Sequence, residues 1–500
     1  MKIKSIIFFV FILSLQIYAQ DSTNSEAFKF NFKRNLYPLI KPKYTSYPLM
    51  SSYILQKKAS EGDPFAQHEL GLRYLLGKGF QADTQKAVVW MKKAVDRDLA
   101  SAKYNYGILF LNGIGVGWNP FVSFENIKFA AESGMPEAQY VMGIFYTDDL
   151  IVTRNITLAK EWFTKSAGNN FDPAKSALQN LNNTSLIINN ESKTDSTNRQ
   201  TSNIQNDYDI EILNLQENGS QTSIDSLVKS FDKNDSKKIR KILGIVDIKS
   251  QKDTTNWGLL LHACEQGSPE ALLIKGKIES RKFQNQVELM NSSESLIKSF
   301  RLGSIKALEE LMTLIKRDDF FRIIKKQIDQ NNPKAMFVWA SLVALNLDYQ
   351  LTTSQAMDLL KKSAKLEHLN SLIELGLCYY NGNLVEKNIA NAKEYWRKAI
   401  ELGSMEAKVR LAFLEIQSAK ENSEKIKMVN VLMDAANSGS VLSQAYLGFC
   451  YENGIGIKQQ KSEAERLYRL AAKRGNQAAY NSLKRMYDEL RPESEEFKIY

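Results

Sequence analysis

Histidine is nearly absent. His68, His262 and His368 are the three in 500 residues, none has a partner at metal-ligand spacing, and no His-Glu-x-x-His is present. A zinc-peptidase site of that type is therefore excluded. No Gly-x-Ser-x-Gly elbow and no Gly-x-x-x-x-Gly-Lys-Ser/Thr occurs, which removes one serine-hydrolase signature and the phosphate loop. Carboxylates are plentiful but fall on polar helix faces. We assign no catalytic residue, no metal ligand and no cofactor. Cysteine is as sparse: Cys264, Cys378 and Cys450, an odd number that leaves a thiol unpaired within one molecule. Beyond the N-terminus no stretch is long and apolar enough to span a bilayer.

What is present is a period of 36 residues. The stretch ASEGDPFAQHELGLRYLLGKGFQADTQKAVVWMKKA begins at Ala59, and AESGMPEAQYVMGIFYTDDLIVTRNITLAKEWFTKS begins at Ala131. Aligned without gaps they share Gly62 with Gly134, Ala66 with Ala138, Gly71 with Gly143, Tyr74 with Tyr146, Ala87 with Ala159 and Trp90 with Trp162. Units in this register begin at Ala59, Val95, Ala131 and Ala167, and again at Ala364, Ile400, Ala436 and Ala472. Cys264, Phe300 and Ile328 open more degenerate units. Self-similarity at such a period is the mark of stacked supersecondary units.

Each unit reads as a helical hairpin. The first helix covers roughly Pro64 to Leu76, with Pro64 in the first turn, where a missing N–H costs nothing. Gly77 supplies the positive φ that ends it. Asp83, Asn155 and Asn388 stand where the second helix needs an N-cap. Gly71 and Ala87 are small where two helix backbones should approach, so a bulky residue at Gly71 would overpack that contact at a cost of about 1–3 kcal/mol. The recurring Gly-x-Gly, as in Gly454-Ile455-Gly456, is then a turn built once per repeat, since no strand precedes it as a nucleotide loop would require. A single hairpin cannot bury its own apolar face, so the expected fold is an all-α superhelical solenoid.

The unit Ala-x-x-Gly-x-x-x-Ala-x-x-x-Leu-Gly-x-x-Tyr-x-x-Gly-x-Gly closely resembles the Sel-one-like repeat, a relative of the tetratricopeptide repeat. AANSGSVLSQAYLGFCYENGIGIKQQKSEAERLYRLAAKRGN is the clearest match, with Ser443 in place of the first-helix Ala. The resemblance covers most of Ala59–Phe171 and Cys264–Tyr487. It implies a scaffold or adaptor that binds protein or peptide partners, and bacterial exported members are often linked to the cell envelope or to contact with a host. Disulfide-stapled members pair cysteines within each repeat, and the three cysteines here do not pair in that way. In tetratricopeptide-like hairpins the first helices line the groove, so the resemblance points offsets nine and sixteen of each unit at a partner. Offset nine holds His68, Tyr104 and Tyr140; offset sixteen holds Leu75, Leu111, Thr147, Tyr380 and Glu452. Tyrosine suits such a surface because it offers contact area with a polar tip. The alternative at the same positions is that they fill space between repeats.

The ends and joints differ from the repeats. MKIKSIIFFVFILSLQIYAQ has the parts of a signal peptide over residues 1–19: Lys2 and Lys4, an apolar core from Ile6 to Ile17, and Ala19 before the cleavage point. The mature chain is expected to be exported, periplasmic or secreted. Residues 20–50 read as an extended arm with aromatic anchors and prolines, lying along the first repeat or serving as a ligand for another protein. The N-terminal array is expected over 51–181, a flexible linker rich in Asn, Ser and Thr over 182–209, a degenerate helical segment over 210–262, the C-terminal array over 263–490 and a polar tail over 491–500. Lys and Arg exceed Asp and Glu by 66 − 56 = 10. A basic exported chain also allows a binder or regulator of cell-wall polymer or of cell-wall enzymes, or an envelope hydrolase. Nucleic acid is not expected as a partner, because no basic stripe with interleaved aromatics is present.

Overall fold

Helix boundaries follow the capping residues. In the computed structural model, which describes residues 27–28, 39–40, 46–189, 256–281 and 286–499, Asp63 accepts from the amides of Phe65 and Ala66 and opens the helix Pro64–Leu76, which Gly77 closes at φ 66°. The expected caps of the second helices all act: Asp83, Asn155 and Asn388 accept from the amides of Lys86, Leu158 and Asn391. Gly454 and Gly456 both hold positive φ, at 67° and 66°. A Cβ on Gly456 would lie 2.9 Å from the carbonyl oxygen of Lys425 in the preceding hairpin. The glycines therefore make a turn pressed against the neighbouring repeat, as their recurrence predicted.

The chain forms two units, Met1–Leu213 with Met486–Tyr500, and Asn214–Arg485. The first unit runs α1 (Ser52–Ser60), α2 (Pro64–Leu76), α3 (Thr84–Val95), α4 (Ala100–Asn112), α5 (Pro120–Glu132), α6 (Pro136–Phe145), α7 (Ile156–Gly168) and α8 (Asp172–Asn189). Helix α8 reaches Asn189, past Asn182, where the linker was expected to begin. The expected signal peptide and residues 190–255, which hold most of the expected linker and of the degenerate helical segment, lie outside the described residues. The arm is represented by a two-residue antiparallel pair, Ala27–Phe28 with Leu39–Ile40, whose second strand lies against α4. It then enters the first repeat through a clamp. Arg73 donates to the carbonyls of Tyr47, Pro48 and Met50, and the Tyr47 hydroxyl donates to Asp63 at 2.7 Å.

The second unit runs α9 (Asn256–Glu265), α10 (Pro269–Arg281), α11 (Gln286–Arg301), α12 (Lys306–Ile315), α13 (Phe320–Asp329), α14 (Pro333–Ala344), α15 (Thr353–Lys365), α16 (Leu369–Asn381), α17 (Ile389–Glu401), α18 (Met405–Ser418), α19 (Asn422–Asn437), α20 (Val441–Asn453) and α21 (Lys461–Lys473). Helix α22 (Gln477–Asp488) begins in this unit and ends in the other. Small residues set the packing within each hairpin. A Cβ on Gly376 would stand 2.1 Å from Trp396 Nε1, whose N–H donates to the Ile373 carbonyl at 3.2 Å. A serine joint recurs as well: the hydroxyls of Ser166, Ser299 and Ser363 donate to the carbonyls of Pro136, Pro269 and Pro333. The first hairpin of the unit also meets its last repeats. The amide of Val441 donates to Gln266, that of Glu270 to Arg474 and that of Gln477 to Gly303.

Candidate binding surface

The offset-nine residues do not form a free surface. His68 and Tyr104 are wholly buried and Tyr140 is 5% exposed. Asn105 Nδ2 donates to His68 Nε2 at 2.7 Å, which leaves Nδ1 to donate to Ser101 Oγ at 3.3 Å. Burial drops the His68 pKa to about 3, so the ring is neutral. Tyr140 packs against Phe163 and Phe171. These side chains fill the space between repeats, which corrects the expectation that offset nine faces a partner. The geometric reason is small. One residue along a helix is a rotation of about 100°, so a face misjudged by one position becomes an interface between neighbours.

In the second unit the residues one position further on form a ladder. Glu374, Arg410 and Tyr446 share offset ten on the first helices α16, α18 and α20, and Leu377, Phe413 and Phe449 share offset thirteen. The N-terminal halves of α16 and α18 are bridged by a residue from α11. Arg301 donates to Glu406 Oε1 at 3.1 Å, Glu406 Oε2 at 3.0 Å, Glu374 Oε2 at 3.3 Å and Asn370 Oδ1 at 2.8 Å. Arg410 donates to Glu406 at 3.0 Å. Burial pushes the Glu406 carboxyl up, but the charges of Arg301 and Arg410 outweigh it and hold the pKa at about 2. Glu374 goes the other way: burial raises its pKa and the Arg301 charge offsets only part of that. Beside this network Glu294 accepts from His368 and Asn370 and pairs with Lys334 at 3.2 Å.

Toward the C-terminal halves of the same helices lies a partly exposed aromatic strip. Phe413 stacks on Tyr446 with ring centroids 3.9 Å apart and meets Phe449 edge-on at 5.7 Å. Phe449 is 37% exposed, and Phe413 and Tyr446 are half-buried. Tyr380, the remaining residue singled out from the sequence, joins this strip. It is half-buried, packs on Trp396, and donates through its hydroxyl to the exposed Gln417 at 3.4 Å. Sequence reasoning missed Phe413, Tyr446 and Phe449, although their 36-residue spacing from Leu377 and Arg410 was the available signal. Chemically the strip offers apolar, polarisable area with two polar tips and no nucleophile. Among the described residues no group of three His, Cys, Asp or Glu side chains could hold a metal, and no helix is long and apolar enough to cross a membrane. All three thiols are buried and unpaired, and burial lifts Cys264 and Cys450 to about 12 and Cys378 further.

Capped hairpins stacked through small residues define an α/α repeat solenoid. Sel1 repeats occur in five places: the Sel1 repeat model matches residues 64–99, 100–135, 136–171, 370–404 and 441–476. The chain is similar to mouse DAP3-binding cell death enhancer 1, at 32% identity over 21% of each chain. It is similar to mouse protein sel-1 homolog 2, at 30% identity over 43% of this chain and 29% of that one. It is also similar to the Arabidopsis thaliana ERAD-associated E3 ubiquitin-protein ligase component HRD3B, at 30% over 21% and 16%. The matched part thus spans less than a third of each of these relatives. Among solved structures, c5321, an uropathogenic Escherichia coli protective antigen displaying an SLR fold, aligns over 88% of this chain and 83% of its own at 21% identity and TM-score 0.31. A Sel1 repeat protein from Oxalobacter formigenes aligns over 26% of this chain and 96% of its own at 35% identity and TM-score 0.25.

Proposed function

We propose that this protein is a non-catalytic scaffold of the bacterial cell envelope that binds a protein or peptide partner along the first helices of its second unit. The observation that carries this reading is the half-exposed strip Tyr380, Phe413, Tyr446 and Phe449. Aromatic side chains bind well at such a place because they bring large area at little cost in side-chain entropy. His68, Tyr104 and Tyr140 are buried within the first unit, and Tyr380 is the sequence-predicted residue that meets the partner. Binding proceeds without turnover. Export is supported by the basic start and apolar core of residues 1–19.

The test is affinity capture from the envelope extract of the source cell, with the intact chain and with Phe413→Ser/Phe449→Ser, whose side chains are not buried core. A specific protein held by the first and lost by the second, at unchanged helicity, is the expected result. Identical capture by both removes the strip from consideration. The formal charge of +10 favours one second reading, binding of anionic wall polymer. Salt-sensitive retention on purified peptidoglycan, indifferent to the double substitution, would establish it instead.

A further inference from the structure

The segment after α22 is polar in sequence, yet it is firmly anchored to the first unit. Phe497 is 2% exposed and sits edge-on to Phe121 and Phe124 of α5, with centroids 5.1 and 5.4 Å away. Arg491 lies 5.3 Å from the Phe121 ring centroid. Its guanidinium donates to the carbonyls of Leu150 at 2.8 Å and Ile151 at 3.0 Å, and also to that of Phe497 at 2.8 Å. Thr153 Oγ1 donates to the Lys498 carbonyl at 2.9 Å, and Lys128 pairs with Glu496. The segment itself has only the single turn Glu495–Phe497 as regular structure.

The receiving surface is a departure from the repeat. The first helix of the receiving repeat, α6, ends at Phe145, whereas its counterpart α4 ends at Asn112, the equivalent of Asp148. Asp149 and Ile151 replace the two glycines found at Gly113 and Gly115. Asp148 accepts from the amide of Leu150 and Asp149 from that of Arg154, so these two amides are satisfied by their own acids. The carbonyls of Leu150 and Ile151 are left to a donor from elsewhere, and Arg491 is that donor.

We infer that α5 and the turn Thr147–Thr153 form a peptide-binding site for a short, turned segment carrying a guanidinium and, six residues later, an aromatic ring, and that its resident occupant is the chain's own Arg491–Lys498. One ring, one planar cation, one ion pair and one backbone bond hold a short segment in the manner of a bound ligand. The site is separate from the aromatic strip of the second unit and stands or falls without it.

The probe is a fluorescein-labelled synthetic peptide of residues Glu489–Tyr500, titrated by anisotropy into the intact chain and into a chain ending at Leu490. The shortened chain should bind saturably and at least tenfold more tightly than the intact one, because the tethered copy competes at high effective concentration. A peptide with Phe497→Ala should not bind. To guard against misfolding of the shortened chain, full-length Arg491→Ala/Phe497→Ala is titrated in parallel, with circular dichroism to confirm native helicity. Absence of binding by either natively helical variant, or equal binding by the intact chain, overturns the assignment.

Discussion

Arg301→Met tests how the first helices of the second unit are held in register. The substitution keeps most of the side-chain volume and deletes the four hydrogen bonds to Glu406, Glu374 and Asn370. Glu406 retains Arg410 at 3.0 Å, but Glu374 loses the cation that faces it while staying 9% exposed. Breaking one side of a buried pair costs about 3–5 kcal/mol. Amide hydrogen exchange in α16 and α18 reports this unit separately from the other, and about 3 kcal/mol corresponds to at least ~100-fold lower protection there. Adding Glu374→Gln removes the orphaned charge and should restore more than half of the loss. The acid limb has a definite sign. Glu406 has a folded pKa of about 2 against an ordinary value of 4.5, so its contribution is full above 4.5 and fades as pH falls toward 2. Arg301→Met should raise that folded value and shrink this acid-dependent term. Exchange rates within a factor of three of the wild type at pH 7 would refute the clamp.

Two further outcomes follow from the packing. His68 is neutral when folded, with a pKa of about 3 against the ordinary 6.5, so stability of the first unit should be full above 6.5 and decline as pH drops, by ~2–3 kcal/mol at pH 4.5. His68→Gln should flatten that slope in a series of exchange measurements between pH 4.5 and 7.5, at some cost in stability at neutral pH. Gly376→Ala places a methyl group where Trp396 Nε1 lies 2.1 Å away, so it should destabilise by about 1–3 kcal/mol; a thermal midpoint unchanged within a degree would show that the ring moves freely.

The fold was legible because each repeat carries its own punctuation. Asp83 and Asn388 each stand six residues after the glycine that closes the preceding helix, Gly77 and Gly382, and Asn155 stands two periods after Asp83. The surface was less legible. Offset nine and offset ten differ by about 100° around a helix, and sequence pattern alone did not tell the face toward the next repeat from the face beside it. Arg301 and Phe497 were beyond reach for another reason. Their partners Glu406 and Phe121 are far away in sequence, and neither separation is a multiple of the period. Contacts between unlike parts of a repeat protein leave no periodic trace.

The division of the chain has a consequence for assembly in time. The first unit takes residues from both sides of Asn214–Arg485, so the second unit is an insertion within it. At roughly 5–20 residues per second, the ribosome needs on the order of 15–50 s between Leu213 and Met486. During that interval the aromatic faces of Trp118, Phe121 and Phe124 have no Tyr487 or Phe497 to meet. A nascent chain therefore displays an unsealed apolar patch for most of its synthesis, and anything that lengthens the second unit prolongs that exposure.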